Sequence, residues 1–211
     1  MKIDPFPNTD STMKKVSISD SSVSDASAST ISDAYDLFEK SMLHLYPDCE
    51  LVKTAKEDDN KGVDYISGNR KIALTNCWGS HNDTHSMYTV CSSKDSNTLH
   101  IFNSEADIFV VYSVSKKEFL IMSTKDIKRY ACDKFPGIEK GLEDIYFSDS
   151  TRIVNYKDNA IENNLIHSRH RGGKQFDYFI YPERDVLIKN YNAKIVNIPA
   201  HLVTGEVHGN V

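Results

Sequence analysis

Apolar residues recur at helical spacing in one long stretch early in the chain. Leu37, Phe38, Met42, Leu45 and Tyr46 form a stripe along residues 34–46. That spacing predicts a helix with one buried face. Ser32 or Asp33 can cap its start, and Pro47-Asp48 stops it. The pattern then shortens to strand-like runs. Strands are predicted at residues 50–55, 63–66 and 71–76, with Ser67-Gly68-Asn69 turning the second into the third as a hairpin. A further strand is expected at 87–91. Ile108-Phe-Val-Val-Tyr112 is apolar at every position, as a strand covered on both faces should be. It turns at Ser115 to Lys117 into a partner at 118–122, and Thr124 then looks like the cap of a helix to Cys132. Beyond that point the pattern weakens. Strands are expected at 144–147, 152–156, 176–181 and 186–188, with a turn at 182–185 and a short helix at 157–166. The last twenty residues give no clear reading. This order predicts an α/β (α+β) fold with a mixed central sheet flanked by helices.

Residues 1–33 read differently. Nine of them are serine, and they hold little that could be buried to offset the entropy of ordering. A disordered Ser-rich tail is expected, with a docking segment for a protein partner as its functional reading. The remainder divides at about residue 132 into a core, 34–131, and a C-terminal extension, 132–211, of no evident role.

The chain has 211 residues, 39% hydrophobic and 26% charged, with a net charge of −5. The length suits one domain with a tail. The negative charge argues against coating nucleic acid by bulk electrostatics, although a local basic groove is compatible with it. No apolar run approaches the roughly 20 residues of a membrane span. The first fifteen residues carry no apolar core after their lysines, so no signal peptide is expected. A cytoplasmic protein is the resulting expectation, with Cys49, Cys77, Cys91 and Cys132 as reduced thiols.

Four features of residues 34–131 together resemble the PD-(D/E)XK nuclease-like superfamily, closest to its intron-associated endonucleases and Holliday-junction-resolvase-like proteins. A helix carrying Glu39 precedes the sheet. Lys61-Gly62-Val63-Asp64 is similar to the family's glycine–hydrophobic–aspartate opening of its second strand. Residues 71–75 occupy the strand that carries the family's acid–x–lysine motif. Ala106-Asp107 followed by the apolar run to Tyr112 is similar to a later strand of the family, in which the aspartate is structural. The resemblance implies a restriction-endonuclease-like core and magnesium-dependent DNA cleavage. Carboxylates would hold the metal, which neutralises developing charge and supplies a bound hydroxide. Asp64 and Glu39 are then the metal ligands, and Lys53 is the nearest cation to orient the nucleophile. Glu57, Asp58 and Asp59 offer further carboxylates. The third strand departs from the pattern, with Ala73 in place of the second acid and Thr75 in place of the lysine. The alternative reading is therefore a non-catalytic binding or structural protein, for example of a phage or mobile element, that keeps the fold without the site.

Two further groupings carry chemistry. Cys77, His81, His85 and Cys91 are four candidate zinc ligands in fifteen residues, of types suited to tetrahedral zinc. A nucleophilic Cys–His pair would use the same stretch. Their plain reading is a polar loop between strands, with Trp78 packing at its border. Residues 167–174 are the densest basic segment, and Arg169, Arg171 and Lys174 suit phosphate. Phe176, Tyr178 and Tyr181 follow, as stacking platforms for bases or as one face of a half-buried strand.

Overall fold

The computed structural model describes residues 29–54, 62–77, 90–91, 99–113, 116–142, 153–155, 164–170 and 176–203. Its elements in chain order are α1 (Ser29–Leu45), β1 (Val52–Lys53), β2 (Tyr65–Ser67), β3 (Arg70–Cys77), β4 (Val90–Cys91), α2 (His100–Asn103), β5 (Ile108–Ser113), β6 (Glu118–Ser123), α3 (Thr124–Lys134), β7 (Ile153–Asn155), β8 (Ile166–His170), β9 (Phe176–Ile180), α4 (Arg184–Asn190), β10 (Lys194–Asn197) and α5 (Ala200–Val203). The fold is mixed α/β with a mostly antiparallel central sheet and helices against it.

The central sheet has the order β1-β2-β3-β5-β6-β10. β1, β2 and β3 form an antiparallel meander. The chain then crosses over, so that β5 lies parallel to β3 in the register Ile72 to Ile108. β6 pairs antiparallel with β5, and β10 with β6. A second sheet has the order β4-β9-β8-β7.

Alternation along the strands sorts the core into two layers. Ile108, Val110 and Tyr112 of β5, with Phe119 and Ile121 of β6 and Ile72 and Leu74 of β3, pack against Phe38 and Met42 of α1. Phe109, Val111, Leu120, Met122 and Ala73 face the other way, onto Ile127, Tyr130 and Ala131 of α3. Ile153, Ile166 and Ile180 of the second sheet and Leu187 of α4 join that second layer. The expected strand at 108–112 is thus buried on both faces, and its residues are fully enclosed.

Three of the elements that differ from the sequence expectation show why. α1 starts at Ser29, five residues before the expected 34. A helix held by its packed face can extend through residues of weak propensity such as Ser, Thr and Asp. α3 is capped by Ser123 and not by Thr124. The Ser123 Oγ accepts the Asp126 amide at 3.0 Å and donates to the Asp126 carboxylate at 2.7 Å, while the Thr124 hydroxyl is buried without a hydrogen-bond partner. Residues 186–188 lie in helix α4 and not in a strand. A run of three apolar residues carries no period that separates the two. Burial of Leu187, with Val186 and Ile188 packed beside the same core, decides it.

The stretch that the pattern left unread carries β10 and α5. β10 closes the sheet, while Leu202 of α5 packs on the α1 layer. Arg184 at the start of α4 grips Glu118 of β6 with two parallel hydrogen bonds, 2.8 and 3.1 Å. Glu118 is buried, and this bidentate geometry is what makes a buried carboxylate tolerable. The expected strand at 144–147 and residues 157–163 of the expected helix at 157–166 lie outside the described residues; residues 164–166 are not helical, and Ile166 opens β8. Among the described residues no helix is long and apolar enough to cross a membrane.

Phe38 is fully buried between Tyr65 and Phe119, with ring centres 5.4 and 5.2 Å away. Phe38→Ala is expected to lower unfolding free energy by about 3–5 kcal/mol in a urea titration. Leu43→Ala, on the exposed side of the same helix, should change it by about 0.5 kcal/mol or less.

Candidate functional site

Helix α1 presents Tyr35 and Glu39 one turn apart, so both side chains lie on one face. Opposite them stand Lys53 from β1, Asp64 just before β2, and Tyr65 within it. The Tyr35 hydroxyl donates to Asp64 Oδ1 at 2.6 Å. The Tyr65 hydroxyl donates to Glu39 Oε1 at 2.8 Å. Lys53 Nζ lies 5.2 Å from the centre of the Tyr35 ring, within cation–π range. The two rings sit side by side, with centres 5.9 Å apart. The structure therefore brings Glu39, Lys53 and Asp64 to one corner of the sheet and inserts two tyrosines among them.

A local break in strand alternation aims Asp64 at the helix. Val63 packs in the α3 layer and Tyr65 in the α1 layer, although residues two apart on a regular strand share a face. The chain is re-aimed between them, at Asp64. Its amide donates to Ile72 O at 2.8 Å, and its carbonyl accepts the Thr54 amide at 2.9 Å. Its carboxylate takes the next donor of β3, the Leu74 amide, at 2.6 Å. Asp64 thus ends the β2–β3 ladder by replacing a backbone acceptor with a side chain. Just before it, Gly62 holds φ +65° and presses against Ser104. The Ser104 hydroxyl donates to the Gly62 carbonyl at 2.8 Å. A side chain at position 62 would meet strain and collision together.

Burial pushes the Tyr65 phenol far above its ordinary range, helped by its hydrogen bond to Glu39 and by the negative charge of Glu39 and Asp64. The phenol is held as a donor, and the adjacent carboxylates act as acceptors.

Ala73, where the family pattern wants its second acid, is buried in the opposite layer. It lies across the sheet from the helix that Asp64 faces. Among the described residues, no three His, Cys, Asp or Glu side chains come together around a point. Asp107 has a purely architectural setting. Its carboxylate accepts the Lys71 amide at 2.9 Å, and its carbonyl accepts the Thr124 amide at 2.9 Å. It pins the start of β5 to β3 and to α3.

The other candidates lie on separate elements or outside the described residues. Cys77 ends β3 in the central sheet, while Cys91 lies in β4 of the second sheet. Their side chains, with Trp78, His81 and His85, lie outside the described residues, as do Glu57, Asp58 and Asp59. Arg169 is in β8 opposite Asp177 of β9. Arg171 and Lys174 fall between β8 and β9, outside the described residues. Tyr181 is corrected as a stacking platform. It is buried edge-on to His167 at 5.0 Å between ring centres, so its face is closed to a base. Tyr178 is half-buried against the core. Tyr35 and Tyr65 were not singled out by sequence reasoning. The available signal was Tyr35 at i−4 from Glu39, together with Tyr65 next to Asp64.

The raised Tyr65 phenol has a consequence above pH 10. There the unfolded chain loses the phenol proton while the folded protein keeps it. Folding stability therefore falls as pH rises, by up to about 1.4 kcal/mol per pH unit for this group. Tyr65→Phe should flatten the decline in urea midpoint between pH 10 and 11.5 relative to the unsubstituted chain. Equal slopes would show that Tyr65 ionises normally.

Asp64→Asn keeps the shape but turns an acceptor oxygen into a donor beside Tyr35 or the Leu74 amide. The expected loss is about 1–3 kcal/mol, read from the same titration at pH 7. Compared with family models, curated proteins and solved structures, the chain finds no match.

Proposed function

We propose that the protein is a non-catalytic nucleic-acid-binding protein, built on a nuclease-like arrangement whose metal site has become a structural lock. Asp64 carries this reading. In a working magnesium site its carboxylate would face the metal together with a second acid from β3. Here it holds the Leu74 amide and the Tyr35 hydroxyl at 2.6 Å each. The position for the second acid is Ala73, buried in the opposite layer. Glu39 is engaged by Tyr65. This donor set does not fit a hard cation that needs several convergent oxygens and water. No cleavage step through magnesium is therefore assigned to it.

The nuclease-like part of the reading rests on element order. A helix carrying Glu39 precedes three antiparallel strands, and a crossover then leads to a strand parallel to the third. The nucleic-acid part rests on the basic run from His167 to Lys174 in the sequence, whose first four residues belong to β8. Arginine and lysine bind phosphate oxygens and fix position without chemistry.

The test combines cleavage and binding on labelled double- and single-stranded DNA, with magnesium and then manganese. The expected result is no cleavage above that of Asp64→Asn. Binding should weaken as salt rises and be lost in the triple variant Arg169→Ala, Arg171→Ala, Lys174→Ala. Metal-dependent cleavage that disappears in Asp64→Asn would overturn the reading in favour of an endonuclease. Absence of DNA binding in the unsubstituted chain would remove the nucleic-acid assignment.

A further inference from the structure

His44 and His201 meet at the junction of α1 and α5, far from each other in sequence. Their ring centres are 4.8 Å apart, and the ring planes are inclined at 69°. His44 is in the last turn of α1, and His201 is in α5. Both residues are exposed, so a solvated ion reaches them without any opening of the core. Nothing in the candidate site at Asp64 uses either residue.

We propose that this pair is a two-histidine site for a late divalent transition ion such as nickel or zinc, which ties α5 to α1. Imidazole is the side chain best suited to these ions near neutral pH. Two imidazoles that share one ion at 2.0–2.1 Å per bond, near the tetrahedral angle, have ring centres about 5 Å apart. The observed separation already meets that requirement. The rings are edge-to-face, and the last torsion of histidine is broad. A shared ion requires a turn about it that re-aims one nitrogen of each ring. Water completes the coordination.

The location gives the site a structural consequence. α5 is a single turn whose Leu202 side chain packs on the α1 layer and whose Leu202 amide closes the turn on Pro199 O at 2.9 Å. An ion bridging both histidines binds only when α5 is docked. Binding therefore stabilises the docked state by mass action.

The experiment is a calorimetric titration of nickel into the full-length, untagged chain at pH 7.5. Hydrogen exchange of the Leu202 amide is followed with and without nickel. His44→Gln and His201→Gln should each abolish the binding heat and the nickel-dependent protection of Leu202. His81→Gln with His85→Gln should leave both intact, which separates this site from the histidines near Cys77 and Cys91. Both proposed ligands are exposed, so the variants are expected to fold, and thermal unfolding without metal checks this. The proposal is overturned by no nickel binding, by binding that survives both single variants, or by binding lost only in the His81/His85 variant.

Discussion

Two-sided burial of the β3–β5–β6 sheet is the constraint on which the structure depends. Every residue of β5 and β6 is enclosed, so each face needs a cover. α1 supplies one layer. α3, with α4 and the second sheet, supplies the other. The parallel β3–β5 pair forces a crossover between them, and Ser104, bonded to Gly62, and Asp107, bonded to Lys71, hold its β5 end. The Glu118–Arg184 pair and the β10–β6 ladder bring the C-terminal stretch back to the same sheet. The chain after α3 therefore belongs to the packing of the core.

The corner at Asp64 shows how polar groups accommodate this burial. Tyr65 is enclosed and must place its hydroxyl, and Glu39 accepts it. Asp64 closes the ladder where the strand is re-aimed, and Tyr35 donates to it as well. Lys53 over the Tyr35 ring adds a cation beside two acids. Together these contacts fix α1 to the meander more specifically than an apolar stripe can. The same residues that suggest a catalytic site thus serve to orient the helix on the sheet.

Much of this was legible in the chain. The stripe at Leu37, Phe38 and Met42 dictates one buried helical face. The unbroken run Ile108–Tyr112 dictates a strand with no exposed face, and Ser67-Gly68-Asn69 dictates the β2–β3 turn. Glu39, Lys53 and Asp64 were singled out through the resemblance and lie at one corner of the sheet, joined through Tyr35 and Tyr65. Residues 186–188 were not legible, since β-branched residues favour strands only when tertiary packing offers one.

Sequence alone settled where apolar faces occur and where turns interrupt them, because those follow from periodicity and from local backbone sterics. It did not decide which layer a strand residue joins once alternation breaks, as between Val63 and Tyr65. Nor did it decide what a carboxylate is bonded to. An aspartate beside a strand reads the same whether it faces a metal, a tyrosine or a backbone amide. Only the tertiary structure brings Tyr35 and the Leu74 amide to Asp64, and Tyr65 to Glu39. Hydrogen-bond partners separated by ten to thirty residues are set by how the layers pack, and no local pattern encodes that.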